Sequence, residues 1–289
     1  MLFATTKAQY KVDGKVVLLT GALGAIGRQL ALRLAEKGAR IALVDIMPES
    51  DGQKFSDELN SGFGSPIAAY LKANLQDPKE IEHMLHWADS RFGRVDVLVN
   101  NAGIASPNML YEGENFERIS LILQVNLQAP IEAMRLFAAY VTSKQAQGVV
   151  VNMASMGGMM PNRGGEVYGA AKAGLIHLTK ASISLAPQIR VSAIAPYYVN
   201  TPMVRNNPKL QNNSTVYPSL MLSVDQVCQT TVRCIEDTAS AGKIYALIGT
   251  WTYAPMWLFD FAALHIKLLA AWSLITIAIR RVFGMHRQE

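Results

Sequence analysis

The sequence predicts an α/β fold in which a single doubly wound parallel sheet carries helices on both faces. Short apolar, β-branched runs recur along the first 250 residues, as at Val16–Thr20 and Ile41–Asp45, and strands buried on both faces have this composition. Segments with helical periodicity, such as Ile26, Leu30 and Leu34, separate these runs. Crossovers of ten or more residues between consecutive strands require parallel pairing, which completes the prediction.

Strands and helices are expected to alternate along the chain. The predicted strands are 16–20, 41–45, 67–71, 95–99, 148–153, 190–195 and 244–248. After the first helix, the predicted helices cover about 79–92, 116–144, 167–185 and 224–237. No internal repeat or low-complexity linker interrupts this series. Residues 1–250 are therefore predicted to form one domain, followed by a hydrophobic, helical C-terminal extension over 251–289.

Composition excludes several classes of protein. Half of the 289 residues are hydrophobic and 17% are charged, whereas intrinsic disorder needs low hydrophobicity and high net charge. Two cysteines, Cys228 and Cys234, are too few for a disulfide scaffold. The net charge of +5 is small and its basic residues are dispersed, so no nucleic-acid partner is expected. The N-terminus lacks the apolar core of a secretory signal, which predicts a cytoplasmic location for the main domain.

A glycine-rich turn, Thr20–Gly27, lies between the first strand and the first helix. Glycine permits positive φ and lets the backbone approach a pyrophosphate, which then rests on the positive end of the helix. A tight turn without a ligand is the alternative, but the strand–turn–helix setting favours a dinucleotide. The candidate cofactor-binding residues of this turn are Gly21, Gly24, Ala25, Ile26 and Gly27.

Asp45 predicts which dinucleotide is bound. It ends the second strand, eighteen residues after Gly27, where a carboxylate accepts hydrogen bonds from both adenosine ribose hydroxyls and repels a 2′-phosphate. No Arg or Lys follows it immediately. We therefore expect NAD rather than NADP, with a structural turn aspartate as the alternative.

Ser155, Tyr168 and Lys172 indicate the chemistry. Tyr168 and Lys172 form a Tyr-x-x-x-Lys pair, with Ser155 thirteen residues before the tyrosine. Alone, a Tyr and a Lys four residues apart are common neighbours on a helix surface. Together with the glycine-rich turn, Asn100–Gly103 after the fourth strand and Asn126 in the long helix, they resemble the short-chain dehydrogenase/reductase family. The resemblance covers about residues 12–249 and implies a Rossmann fold.

A narrower likeness lies around the serine. The segments Asn152–Ser155 and Gly158–Pro161, with the acidic Asp45, are similar to the NAD-linked hydroxyprostaglandin dehydrogenase branch.

The resemblance assigns catalytic roles to four residues. A free tyrosine has a pKa of about 10, and Lys172, four residues on along a helix, would favour the phenolate. Tyr168 is then the general acid or base, and Lys172 also holds the nicotinamide ribose. Ser155 stabilises the charge that develops on the substrate oxygen, and Asn126 kinks its helix and holds a water in the proton relay. No metal ligands are assigned.

Further cofactor contacts follow from the same resemblance. They are Asn74, Asn100, Asn101, Ala102, Gly103, Pro196, Val199 and Thr201. Two positions depart from the family pattern: Ala25 stands where the turn usually has glycine, with Gly24 one residue earlier, and Tyr197 replaces the glycine after the proline. We expect the Tyr197 ring to narrow the substrate entrance.

The substrate is predicted to be a bulky, lipid-like secondary alcohol or ketone. The variable lid, Met203–Ser223, and Met156, Met159 and Met160 after the serine supply an adaptable apolar lining. Arg205 is a candidate partner for a substrate carboxylate. The expected activity is hydride transfer between NAD and this substrate. The alternatives are an NADPH-linked ketone reductase and a membrane-tethered cofactor-binding protein without turnover.

The C-terminal extension holds the excess of hydrophobicity. Hydrophobic residues make up 25 of the 39 residues 251–289, including Trp251, Trp257 and Trp272. Membrane association through residues 256–283 is the favoured interpretation, with Arg280 and Arg281 at the polar edge. A helix in an oligomer interface and a flap over the active site are the alternatives. The family resemblance also implies a homo-oligomer.

Overall fold

In the computed structural model, one sheet of eight strands, seven of which pair in parallel, carries helices on both faces, which confirms the predicted fold class. The structure describes residues 9–105, 115–161, 164–206, 218–249 and 251–255. Its strands are β1 Val16–Thr20, β2 Arg40–Asp45, β3 Ala68–Lys72, β4 Val97–Asn100, β5 Gly148–Met153, β6 Ile189–Pro196, β7 Ile244–Ile248 and β8 Trp251–Pro255. They lie in the order β3-β2-β1-β4-β5-β6-β7-β8. The strand order reverses between β1 and β4, and ligands of such sheets bind at the carboxyl ends beside this point.

Helices cover both faces of the sheet and enclose two cores. They are α1 Ala25–Glu36, α2 Glu49–Phe63, α3 Pro78–Phe92, α4 Phe116–Leu123, α5 Ala129–Ser143, α6 Glu166–Ala181, α7 Pro202–Arg205 and α8 Val224–Glu236. Successive β1 residues alternate between the cores, because strand side chains point to opposite faces. Val17 and Leu19 pack with α1, α2 and α8, whereas Val16 and Leu18 pack with α3 and α5.

The structure differs from the sequence prediction in three elements. Helix α2 was not predicted, because two glycines and many polar residues weaken its periodic pattern; at Gly52 a Cβ would lie 2.1 Å from the Tyr70 ring, so packing requires the glycine. The long helix predicted over 116–144 contains a π-helical segment, Gln124–Gln128, between α4 and α5. Residues 251–255 form β8, where the helical extension was expected to begin.

The chain divides into two compact units, Met1–Tyr253 and Ala254–Glu289. Residues 256–289 lie outside the described residues, so the C-terminal helix, the membrane association and the exact domain boundary remain predictions. Among the helices that the structure does describe, none combines the length and apolar character needed to cross a membrane.

Candidate active site

The turn between β1 and α1 is shaped by its glycines. Gly21 has φ +64°, and a Cβ there would lie 2.8 Å from the Ala102 Cα. At Gly27 a Cβ would lie 2.1 Å from the Gly21 carbonyl oxygen, so the first turn of α1 packs directly on the loop. Gly24 is the N-cap of α1 and Ala25 its first residue. Gly24, the glycine one residue before the usual family position, therefore occupies the N-cap. Because it has no side chain, it leaves the first N–H groups of the helix accessible.

The loop after β4 holds this turn in place. The side-chain amide of Asn101 donates to the carbonyl oxygens of Thr20 and Gly21, both at 3.0 Å. The backbone N–H groups of Asn101 and Ala102 donate to the Thr20 hydroxyl at 3.1 and 3.2 Å. All of these donors bond to other groups of the protein, so Asn101 affects the site by holding the glycine-rich turn in place.

Asp45 faces the same turn from the end of β2. Its Oδ2 accepts a 2.8 Å hydrogen bond from the Leu23 N–H, and its Oδ1 accepts a 3.2 Å bond from the Met47 N–H. The carboxylate is thus held beside the glycine-rich turn, as the sequence predicted. Asn74 lies two residues beyond β3, and its Oδ1 accepts hydrogen bonds from the backbone and side chain of Gln76, both at 3.1 Å.

Ser155, Tyr168 and Lys172 come together between β5 and α6. Ser155 follows β5, and its hydroxyl lies near enough to Tyr168 to lower the pKa of the phenol. The Lys172 Nζ lies 5.7 Å from the centre of the Tyr168 ring and donates a 2.7 Å hydrogen bond to the Met153 carbonyl. Lys172 is buried, with 3% of its surface exposed. The single bond to Met153 leaves two ammonium N–H groups for a ligand.

Burial dominates the electrostatics of this group. It lowers the pKa of Lys172 to about 8, because a buried ammonium loses its hydration. Burial also raises the pKa of Tyr168, against the lowering effect of the nearby Ser155 hydroxyl, and the neighbouring Tyr198 raises it further. The sequence predicted that Lys172 lowers the pKa of the Tyr168 phenol. In the protein without a cofactor, the pKa of Tyr168 is raised instead.

Asn126 links the π-helical segment to the loop after β4. Its side chain is fully buried; the amide donates to the Ile104 carbonyl at 2.8 Å, and Oδ1 accepts from the Ile104 N–H at 3.0 Å. A Cβ at Gly103 would lie 2.9 Å from the Asn126 Oδ1 and 3.5 Å from the Lys172 Nζ. Gly103, Asn126 and Lys172 are therefore neighbours, and a π-turn at such a place is frequent in functional sites.

Two consecutive tyrosines, Tyr197 and Tyr198, lie in the loop after β6. The Tyr197 N–H donates to the Leu247 carbonyl at 2.8 Å, and its ring packs against the core beside α1 and α8. The ring therefore contributes to core packing, and its effect on the substrate entrance stays a prediction. Tyr198, whose ring meets that of Tyr197 edge-on at 4.8 Å, is the one that acts on Tyr168. The sequence analysis did not single out Tyr198. Its only signal in the sequence was its position next to Tyr197, which departs from the family pattern.

The other residues of this loop lie next to the described ends of the predicted lid. Val199 forms a bridge with Leu222, and Thr201 is the N-cap residue of α7. Pro196 ends β6. Arg205 ends α7 and donates to the Asn200 Oδ1 at 3.1 Å. Residues 207–217 of the predicted lid lie outside the described residues.

The methionines after Ser155 have different environments. Met156 is buried, whereas Met159 and Met160 line a groove of about 380 Å³ with Pro161, Ala170 and Ala173. This groove follows the exposed side of α6 at Ala170 and Ala173. Their prediction as substrate lining is not tested by this placement.

Residues 15–212 match the model of the short chain dehydrogenases. The chain belongs to this family. It is 33% identical over 201 residues to the 3-oxoacyl-(acyl-carrier-protein) reductase of Thermotoga maritima, covering 69% of this chain and 80% of that protein. It is 32% identical over 207 residues to the 15-hydroxyprostaglandin dehydrogenase (NAD+) of Bos taurus, covering 70% and 74%.

Solved structures of the family superpose closely. A short-chain dehydrogenase/reductase from Mycobacterium marinum has a TM-score of 0.76 at 26% identity and covers 84% of this chain and 98% of its own. A 3-ketoacyl-(acyl-carrier-protein) reductase from Brucella melitensis, complexed with NADH, has a TM-score of 0.74 at 27% identity and covers 84% and 100%. As a member of the family, this chain is an oxidoreductase that uses a nicotinamide cofactor and a small-molecule substrate.

Proposed function

We propose that the protein transfers a hydride between NAD and a lipophilic secondary alcohol or ketone, with Tyr168 as the general acid or base. One observation carries the proposal: Ser155 lies beside Tyr168 and lowers its pKa, while the buried Lys172 ammonium lies 5.7 Å from the Tyr168 ring. A surface Tyr and Lys pair would have neither the burial nor the serine. A cofactor-binding protein without turnover would have no need of this arrangement.

The residues around the crevice fit a dinucleotide. The open N-terminus of α1 suits a pyrophosphate, because its N–H groups and the helix dipole favour an anion. The residues proposed to hold the cofactor are Gly21, Gly24, Ala25, Ile26, Gly27, Asp45, Asn74, Asn101, Ala102, Gly103, Tyr168, Lys172, Pro196, Val199 and Thr201. The bound nicotinamide supplies the site that accepts or donates the hydride.

The chain's own residues manage the proton. In oxidation the Tyr168 oxygen accepts the proton of the substrate hydroxyl; in reduction it returns a proton to the carbonyl oxygen. The Ser155 hydroxyl donates to the same substrate oxygen and stabilises its negative charge. Lys172 places a positive charge beside the site. Asn126 fixes the backbone of Ile104, next to Gly103. Because burial raises the pKa of Tyr168, oxidation depends on additional positive charge from the bound cofactor.

Replacing Tyr168 with Phe tests the mechanism. Tyr168→Phe removes the proton carrier while keeping the ring, so we expect turnover to fall by about 10²–10⁴-fold, with NAD binding nearly intact. Tyr140→Phe is the matched control. Tyr140 donates to Asp89 and accepts from the Val95 N–H, at the end of β4 opposite the site, and its loss should leave turnover unchanged. Normal turnover in Tyr168→Phe would contradict the mechanism.

Asp45 carries the proposal of NAD over NADP. The carboxylate is bound by the Leu23 and Met47 N–H groups, so it cannot turn away from a 2′-phosphate without losing them. A relative is described with NAD+ and a similar structure with NADH, while a more distant structure is described as NADPH-dependent. Titration of both cofactors should show tighter binding of NAD, and Asp45→Ala should reduce that preference. Tighter binding of NADP by the unaltered protein would favour an NADPH-linked ketone reductase instead.

We also propose that residues 256–283 associate the protein with a membrane, leaving the catalytic domain in the cytoplasm. Leu268–Ile279 contains only Ser273 and Thr276 as polar residues, a pattern that favours the hydrocarbon boundary. Cells expressing the full chain should retain it in the membrane fraction, and a chain ending at Gly249 should be released. If both remain soluble without detergent, membrane association is refuted, and sedimentation then tests the homo-oligomer.

A further inference from the structure

Arg118 is a half-buried cation with unused hydrogen-bonding capacity. It lies in the first turn of α4, where its backbone N–H donates to the Asn115 Oδ1 at 2.9 Å. Its Nη2 donates a 3.0 Å hydrogen bond to the Ala105 carbonyl. Its Nε is buried and has no hydrogen-bond partner among the described residues. None of the acidic side chains that the structure describes pairs with it.

The guanidinium lies close to the proposed site. Ala105 is two residues after Gly103, and two residues of chain span at most about 7 Å. Gly103 in turn neighbours Lys172, since a Cβ there would lie 3.5 Å from its Nζ. Asn126 holds the intervening Ile104 by both backbone groups, and α4 packs against α6. Arg118 is therefore attached to Ala105, directly after the backbone that Asn126 holds beside Lys172.

We propose that Arg118 binds a carboxylate of the substrate, which makes the substrate class a lipophilic hydroxy acid or oxo acid. The proposal rests on the proposed function and specifies its substrate. A guanidinium presents Nε and a terminal nitrogen as a planar fork, and a carboxylate accepts two parallel hydrogen bonds from it. An anion at this place satisfies the buried Nε, which otherwise loses its hydration without replacement.

Arg205 is the competing cation. It is exposed and already donates to the Asn200 Oδ1. Exposed ion pairs are weakened by water and salt, so the half-buried Arg118 is the stronger carboxylate partner. A merely structural Arg118, holding the Ala105 carbonyl, would affect charged and uncharged ligands equally. The ratio of their affinities therefore separates the two roles.

The test compares ricinoleate, a fatty acid with a secondary hydroxyl, with its uncharged methyl ester. Dissociation constants are measured on the full chain with NAD bound. The unaltered protein should bind the acid about tenfold or more tightly than the ester, and Arg118→Gln should bring this ratio close to one. Arg118→Lys should keep part of the preference, because its ammonium retains the charge without the fork. Arg205→Gln should keep the full preference.

Three results would overturn the proposal: equal binding of acid and ester by the unaltered protein, binding of neither, or loss of the preference in Arg205→Gln instead of Arg118→Gln. Thermal melting checks that each variant is folded, and Arg118→Lys carries the test if Arg118→Gln does not fold. Turnover of the ester reports separately on the proposed function. Turnover without acid preference refutes only the role of Arg118, whereas failure to bind NAD refutes the dehydrogenase proposal.

Discussion

Burial of Lys172 makes the stability of the protein depend on pH. The ammonium has a pKa of about 8 in the folded protein, against 10.5 when exposed. Between these values the unfolded chain binds a proton that the native state does not, so the free energy of unfolding rises with pH. Below pH 8 the cost of the buried charge is present in full, at about 3 kcal/mol. From pH 7 to pH 9.5 about 2 kcal/mol of it is recovered.

Lys172→Met isolates this contribution. Methionine has a similar length and no charge, so its native state carries no such cost. Other groups that titrate in this range, including the buried Cys228 and Cys234 thiols, whose pKa values burial raises, are common to both proteins and cancel in the difference. Urea unfolding of both proteins at pH 7 and pH 9.5 measures it. The unaltered protein should gain about 2 kcal/mol relative to the variant at the higher pH.

A control variant excludes a general effect of losing a lysine. Lys54 is exposed on α2, and its ammonium stays in water in both states. Lys54→Met should therefore show no pH-dependent difference from the unaltered protein. If the Lys172→Met difference is equally flat, the ammonium is not desolvated, and the reasoning from burial is wrong.

Three further changes test two contacts of the site and one ion pair outside it. Gly21→Ala forces a Cβ to 2.8 Å from the Ala102 Cα and should abolish NAD binding in a cofactor titration; Gly64→Ala, with φ +67° but open space around it, should cost only about 1 kcal/mol of strain and leave NAD binding intact. Asn126→Ala removes both hydrogen bonds to Ile104 and should lower the free energy of unfolding by about 2–3 kcal/mol, together with turnover; an unchanged unfolding midpoint in urea would contradict this. Asp225→Asn breaks the partly exposed pair between Arg33 and Asp225 and should change stability by less than about 1 kcal/mol, and a larger shift in thermal melting would show that the pair is desolvated.

Local pattern was sufficient for most of the fold. Strands β1, β5 and β7 have the predicted bounds, because an apolar, β-branched run between turns has one stable arrangement inside a covered parallel sheet. Helix α2 was missed because its amphipathic pattern is weak. A glycine is required at position 52 because the ring of Tyr70 packs directly against it. That contact joins α2 to β3, so it cannot be found in either segment alone.

In the candidate site, too, some features follow from local sequence pattern and others from contacts between distant segments. Spacing alone placed Tyr168 and Lys172 on one side of a helix, and Asp45 at the end of a strand next to the glycine-rich turn. The hydrogen bonds of Lys172 to Met153 and of Asn126 to Ile104 join residues 19 and 22 positions apart, and no periodicity encodes them. The packing of the Tyr197 ring on the core and the effect of Tyr198 on Tyr168 likewise depend on distant segments of the chain.

By itself, the sequence determined the fold class, the family and which residue types meet at the crevice, because periodicity, turn chemistry and motif spacing are local properties of the chain. Only the tertiary structure decided how deeply Lys172 is buried, in which direction the pKa of Tyr168 moves and which of two tyrosines acts on it. Those properties depend on desolvation, which is set by atoms that distant segments bring around each group.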